Sequence, residues 1–582
     1  MNPERTAQLR SRMVSMDKLW HLAVFGMLAG LLAGGVIVLF RLLVEAVQTS
    51  FLPGGDVENY EALAWWWRVL LPLAGGLIIG LVFQFAATKY RAVGVVHVME
   101  RLAYHRAQLP IPNMLMQFFG AALSIICGHS VGREGPAVHL GATAGSVIGR
   151  WFYLPNNSTR TLVACGVAAA IAASFNTPLA GVIFAMEVVL MEYTLVGFLP
   201  VILAAVAATA LSHYFFGTEP AFSVPPMQLG TLYELPYVVL VGVVVGCLAA
   251  LFCHSLIRFS SVAKERAIWQ RMTLAGALTG LFALFVPEVM SLGYDTVNAA
   301  MLGEMAILGL FIIAVVKLFA TTAGLGLGLP GGLIGPTMVI GAAAGAAMGG
   351  LAGLIAPDSV SSPGLYAMIG MGAMMGATLQ APLAALTALL ELTANPNIIL
   401  PGMLAIVSAS LVSSQVFGTR SVFAMLAQAR GLNYEDTPVA QALRRISVMT
   451  AMDDVIVSSN STMSLAEADR HLRSEPHWIV VQQAHKTEVM AAADLAAYVQ
   501  SHLGQGIEAS NIVDLADIPA ERFQAQAIDM RASLQEALMQ LSDEDTEMLY
   551  VVHTISHEQK QILGVLSEED IEQHYRYPFA SK

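Results

Sequence analysis

The sequence predicts an all-α membrane body of many helices, followed by a soluble α/β tail. Composition, charge placement and a set of repeated, interrupted apolar segments carry that prediction. Of 582 residues, 56% are hydrophobic and only 12% charged, against about 25% charged in an ordinary soluble domain. Long apolar stretches free of acid and base then require a polytopic membrane protein. Fifty glycines suit helices that approach closely in lipid. From Pro438 to Lys582 there are 10 Lys and Arg against 22 Asp and Glu, while the preceding residues hold 20 of each. A neutral body therefore gives way to an acidic tail near residues 430–440. Such a tail excludes a nucleic-acid partner, which needs basic patches.

Arg5, Arg10, Arg12 and Lys18 precede the first apolar run, which starts near Trp20 and continues past Leu42. That run is too long for a secretory signal, and no A-x-A cleavage pattern closes it. The basic flank predicts a cytoplasmic segment over 1–19. Further apolar segments fall near 68–88, 113–126, 138–152, 160–191, 195–216, 235–257, 272–288, 304–322, 332–356, 364–392 and 397–417. The expected body covers 20–430, a linker 431–443 and the tail 444–582. Several apolar segments are shorter than the ~20 residues a span needs, or are broken by Gly and Pro. Backbone broken at membrane depth is tolerated only where protein buries it or it lines a watery cavity. Cys127, Cys165, Cys247 and Cys253 lie in or beside apolar runs and read as small hydrophobes, with no metal or disulfide spacing.

The interruptions repeat. Gly132-Arg-Glu-Gly-Pro136-Ala-Val-His-Leu-Gly141 stands 200 residues before Gly332-Leu-Ile-Gly-Pro336-Thr-Met-Val-Ile-Gly341, and Gly145 continues the offset to Gly345. Phe175–Glu187 (FNTPLAGVIFAME) matches Leu379–Glu391 (LQAPLAALTALLE) at an offset of 204. Two motifs in one order at nearly one offset make each half, roughly 20–220 and 230–430, a copy of one unit. Duplicated halves with broken helices at matching positions point to a transporter core whose site lies between the repeats.

Both motifs read G-x-x-G-P before an apolar helical run. Proline suits a helix start, whose first amides have no intrahelical partner. Those free amides and the positive end of the helix dipole can face a small anion. Two such starts give a site without a full positive charge, from which an anion can still leave. Glu134 lies inside the first motif, so its carboxylate can occupy the anion's place until protonation removes it. An ionisable residue in a membrane body is functional by default. Lys317, inside an apolar run, reads first as a structural cation, and His139 as a satisfied core histidine. No Ser/His or metal-ligand set appears in the apolar segments, so the sequence does not read as an enzyme.

GREGP at 132–136, GGLIGP at 331–336, and the paired NTPLAG and QAPLAA segments resemble the CLC family of chloride channels and proton/chloride antiporters. The resemblance covers residues 20 to about 430. It implies a homodimer with one anion pathway per subunit and inverted-repeat halves of many tilted, broken helices. It makes Glu134 the gate. It sets the backbone amides of Arg133, Glu134, Gly135, Leu333, Ile334 and Gly335 against the anion. The family's serine ligand aligns with Val93 and its tyrosine ligand with Phe423, so both side-chain donors to the central site are expected to be missing. The internal proton-relay glutamate of the antiporters aligns with Val188, one residue after Glu187. Valine there favours a passive channel, although Glu187 or a water chain could serve a proton; otherwise Glu187 is a structural acid mirrored by Glu391.

In the tail, short strands and amphipathic helices alternate, and the order seen in 464–500 returns in 533–576. This second duplication resembles a pair of cystathionine-β-synthase-type (CBS) domains. By that resemblance Ser567 would meet a nucleotide phosphate and Asp570 its ribose, which makes an adenine nucleotide the candidate ligand; structural dimerisation is the plainer role. The sequence thus reads as a Glu134-gated chloride channel of a bacterial inner membrane, with N-terminus and tail cytoplasmic. Its partners are chloride and similar small anions, the bilayer and a second copy. The alternative is a proton/chloride antiporter, with Glu134, Glu187 and Val188 along the proton path. A fluoride exporter or a non-conducting nucleotide sensor ranks lower.

Overall fold

Among the described residues the chain builds helix upon helix to residue 429, and strands appear only after residue 455. The computed structural model describes residues 19–193, 195–219, 222, 227–262, 264–356, 361–432, 438–483, 486–504, 512–543, 546–554 and 560–576. The basic N-terminal residues singled out above lie outside these. Two compact units result, one of residues 17–151 and 159–434 and one built on 435–582.

The first half of the body runs α1 (Leu19–Phe51), α2 (Trp65–Phe85), α3 (Val95–Tyr104), α4 (Ile111–Ile126), α5 (Glu134–Trp151), α6 (Asn156–Phe175), α7 (Pro178–Phe184) and α8 (Leu195–Phe216). The second half runs α9 (Leu235–Val262), α10 (Ile268–Phe285), α11 (Tyr294–Leu302), α12 (Ile307–Gly326), α13 (Ile334–Ile355), α14 (Pro363–Leu379), α15 (Pro382–Thr393), α16 (Ile399–Leu411) and α17 (Val422–Ala429). Among the described residues, eight helical stretches are long and apolar enough to cross a membrane. The helices α4 to α8 recur in order as α12 to α16, which is the duplication seen in the sequence.

The repeated glycines have a packing cause. A Cβ on Gly141 would lie 2.1 Å from the Gly166 carbonyl oxygen, and a Cβ on Gly341 would lie 2.3 Å from that of Gly370. In each half, therefore, the motif helix and the helix after it touch backbone to backbone. Without a hydrophobic drive between helices in lipid, such close approach supplies much of the association. The sequence's single apolar segment over 160–191 resolves into α6, α7 and a wider turn over Ala185–Leu190. Pro178 starts α7 and Met191, with φ 54°, ends that turn.

The two halves also grip each other. The Glu391 carboxylate accepts the amides of Leu179 and Ala180 at the start of α7, at 2.9 and 2.7 Å. Reciprocally, the Glu187 carboxylate accepts those of Leu383 and Ala384 at the start of α15, at 3.3 and 2.6 Å. Each glutamate thus caps the opposite half's helix, satisfying amides that helix geometry leaves free. Buried Lys317 donates to the carbonyls of Glu288, Val289 and Ser291 at 3.3–3.4 Å, the structural role expected of it.

In the tail, β1 (Ile456–Asn460), β3 (Trp478–Gln482), β4 (Thr487–Ala491), β6 (Arg522–Asp529), β7 (Met548–Thr554) and β8 (Lys560–Ser567) form one sheet in that order. The short β2 (Thr462–Ser464) and β5 (Ile512–Asp514) pair separately. β1 is parallel to β3 and β3 antiparallel to β4; β6 repeats this with β7 and β8, and the copies join antiparallel at β4 and β6. The tail is therefore a duplicated α/β unit. Its separate cores centre on Leu465, Ile479 and Leu495 in one copy, and on Leu534, Leu549 and Leu566 in the other.

Candidate functional site

The two G-x-x-G-P motifs meet. Gly132 and Gly332 exchange backbone hydrogen bonds as an antiparallel bridge, with N–H to O distances of 2.7 and 2.6 Å. The bridge brings the starts of α5 and α13 together, each one turn deep in buried backbone. The first amides of both helices, free of intrahelical partners, thus start from adjacent backbone.

Glu134, the first residue of α5 and 1% exposed, fills the point of convergence. The backbone amides of Glu134 and Gly335 bear on its carboxylate. A Cβ on Gly132 would fall 1.9 Å from Glu134 Oε2, on Gly332 2.7 Å from the same oxygen, and on Gly335 2.7 Å from Oε1. The glycines at these three positions are therefore the space in which the carboxylate sits. A small anion could take that space only if the side chain left it.

Two large cavities reach the neighbours of Glu134, one at Gly135 and the other at Arg133. One, about 540 Å³, is lined by Val93, Gln117, Gly135, Leu333, Ile334 and Phe423, among others. Val93 and Phe423 thus line the same cavity as Leu333 and Ile334 at the α13 start. Lys264, Arg271 and Arg430 also line it, and among its described lining residues there is no carboxylate. The field in this cavity favours anions. The other cavity, about 550 Å³, is lined by Arg41, Glu45, Glu58, Arg133, Glu219, Tyr294 and Asp295, among others, and is mixed in charge. Arg133 is set apart from the other motif residues, with its guanidinium 4.8 Å from the Phe175 ring centroid and 5.3 Å from that of Tyr294.

Tyr294 was not singled out by sequence. Its hydroxyl donates to Glu134 Oε1 at 3.1 Å, and its backbone amide donates to Glu58 Oε2 at 3.0 Å. The ring packs edge-on against Phe222 and Phe175. Gly293, at φ 78°, turns the chain into α11 so that Tyr294 opens the helix. Only the Gly-Tyr pair before a short helix could have signalled it.

A third, narrow cavity of about 40 Å³ runs from Glu134 between Phe175, Phe184, Ile334, Met338 and Leu379 to Ala180 and Ala384. Those two alanines carry the amides bound by Glu391 and Glu187. Val188 is buried beside Glu187 in the wider turn. His139 is fully buried, with Nε2 3.1 Å from Nδ1 of His97. In the tail, Ser567 and Asp570 are spent on each other: Asp570 Oδ2 accepts from the Ser567 amide and hydroxyl at 2.8 and 2.7 Å, and the Asp570 amide donates to Ser567 Oγ at 3.2 Å. That is a capping arrangement at a helix start. Gly564 is required by packing, since a Cβ would lie 2.6 Å from the Asp453 carbonyl oxygen.

Residues 75–414 match the family model described as voltage gated chloride channel. A ClcB-like protein of Ralstonia nicotianae is 32% identical over 427 residues, 72% of this chain and 98% of its own. The H(+)/Cl(-) exchange transporter ClcA of Vibrio cholerae is 30% identical over 433 residues, 72% of this chain and 91% of its own. The crystal structure of a slow cyanobacterial Cl-/H+ antiporter superposes with a TM-score of 0.63, at 23% identity, over 70% of this chain and 97% of that one. With its duplicated halves meeting at Gly132 and Gly332, this multi-pass membrane chain belongs to the CLC family.

Proposed function

We propose that this protein moves chloride across a bacterial inner membrane in exchange for protons, with Glu134 as the group both ions share. The supporting observation is the seat of the Glu134 carboxylate: it fills the meeting point of two helix starts, and its chain neighbours Arg133 and Gly135 line two different cavities. Ionised, it competes with chloride for the same amides; protonated, it no longer does and can leave. The narrow cavity beyond it has the volume of one or two waters and an apolar lining, so it is wetted only transiently. A proton carried along it arrives beside Glu187 and Glu391.

Valine at position 188 favours a passive channel, and the ClcB-like relative is named with the chloride channels. Two things favour exchange. The ClcA relative is named an exchanger, and the Glu187 carboxylate, one residue before Val188, accepts the amide of Ala384, which lines the narrow cavity. The chain acts as a homodimer, its tail a CBS-type pair on the cytoplasmic side with its N-terminus. Tail dimerisation fits the cap formed by Ser567 and Asp570 better than nucleotide binding does.

Chloride and proton flux measured together in liposomes test this. Exchange predicts a reversal potential that moves with the pH gradient; a channel would reverse at the chloride equilibrium value. Glu134→Gln is expected to conduct chloride with no pH response. Retention of the full response in that variant would remove the gate from Glu134.

A further inference from the structure

Gln117 is a buried amide with nothing to bond. It sits on α4, is 0% exposed, and neither its Oε1 nor its Nε2 has a hydrogen-bond partner in the protein. Such a group is costly, and native proteins rarely leave one without a reason. One turn earlier on the same face, Asn113 Nδ2 donates to the carbonyls of Lys89 and Ala92 at 3.1 and 2.9 Å. Asn113 thereby fixes the loop that carries Val93. Gln117 lines the 540 Å³ cavity together with Val93, Leu333, Ile334 and Phe423.

The lining of that cavity therefore offers converging helix amides, three cationic side chains farther along, two apolar residues where hydroxyl donors are absent, and one unsatisfied amide. An Nε2–H2 group has two donors and can turn either toward an anion. We propose that Gln117 is a ligand of the transported anion, donating through Nε2 to a monovalent halide held at the α13 start. This rests on the chloride-transport reading above and adds the side chain that sets affinity.

A hydrogen bond to an ion is stronger than a neutral one, so its loss is expected to weaken chloride binding about tenfold. The test is isothermal titration of chloride into the purified full-length protein, with thermal melts in chloride and in an impermeant organic anion. Gln117→Met keeps the shape and removes both polar atoms. It is expected to bind chloride about tenfold more weakly, to gain less melting temperature from chloride, and to melt no lower than wild type without chloride. That last outcome separates an anion ligand from a structural amide, because replacing an unsatisfied buried group by an apolar one does not destabilise. Gln117→Glu, an acceptor-only carboxylate, is expected to abolish chloride binding. Wild-type affinity in Gln117→Met, or a lower chloride-free melting temperature, would overturn the proposal. Absence of chloride binding in the wild type would instead overturn the transport reading beneath it.

Discussion

At the scale of single residues, Glu134 is held by contacts that sequence signals unequally. The motif glycines and the glutamate were legible, because a Gly-flanked carboxylate at a helix start inside an apolar body has few other uses. Tyr294 was not, since a lone tyrosine outside any repeat carries no pattern. Its hydroxyl donates to Glu134 and so favours the ionised, seated carboxylate. Arg133, beside Glu134 in the motif, Asp295, beside Tyr294 in α11, and Glu58 and Arg41 from other elements line the cavity at Tyr294, and Tyr294→Phe leaves all of them in place. The pH of half-maximal chloride flux is expected to move to higher values. An unchanged pH profile in liposome flux would show that the hydroxyl does not hold the gate. Gln117 carries no more sequence signal than Tyr294: one amide in an apolar helix reads as tolerated polarity, and only the structure shows that it lacks a partner.

At the scale of elements, the duplicated segments told more than their apolar content did. The offsets of 200 and 204 gave the equivalence of Glu187 and Glu391, but not that each caps the other half's helix. Sequence shows which residues match, while a swapped contact needs the two-fold relation in space. Replacing either glutamate by Ala leaves two helix-start amides without their acceptor and is expected to cost about 1–2 kcal/mol in stability, read as a lower melting temperature. Glu187→Gln retains an acceptor and is expected to melt near wild type, yet to lose most proton flux. Proton coupling that survives this change would leave Glu187 a cap alone. Ser567 and Asp570 carry the opposite lesson: a hydroxyl three residues before an acid marks a helix cap as readily as a nucleotide site, and here the two residues bond each other.

At the scale of the whole molecule, stability depends on pH through the connection between α1 and α2, outside the spanning helices. Burial, reinforced by the nearby Asp295 charge, pushes the carboxyls of Glu58 and Glu61 up to about 7. Between roughly 4.5 and 7 the folded protein therefore holds protons that the unfolded chain releases. Stability falls as pH rises through that window and levels off above it. Melting curves from pH 5 to 8 in detergent are expected to show this decline, and Glu58→Gln with Glu61→Gln to flatten it. The division into a neutral body and an acidic tail was visible from charge counts alone, and so was the doubling of each. The pairing that joins the tail's copies at β4 and β6 was not, because strand order between repeats depends on contacts far apart in sequence.

The paired amide-to-carbonyl bonds of Gly132 and Gly332 staple the two repeats beside the seat of Glu134, where the proposed exchange would pass its ions. A cycle that swung one repeat away from the other would tear both bonds where little water can replace them. If Glu134 is the gate as proposed, the moving part is the size of one side chain, a turnstile set in a fixed frame and not a pair of swinging doors.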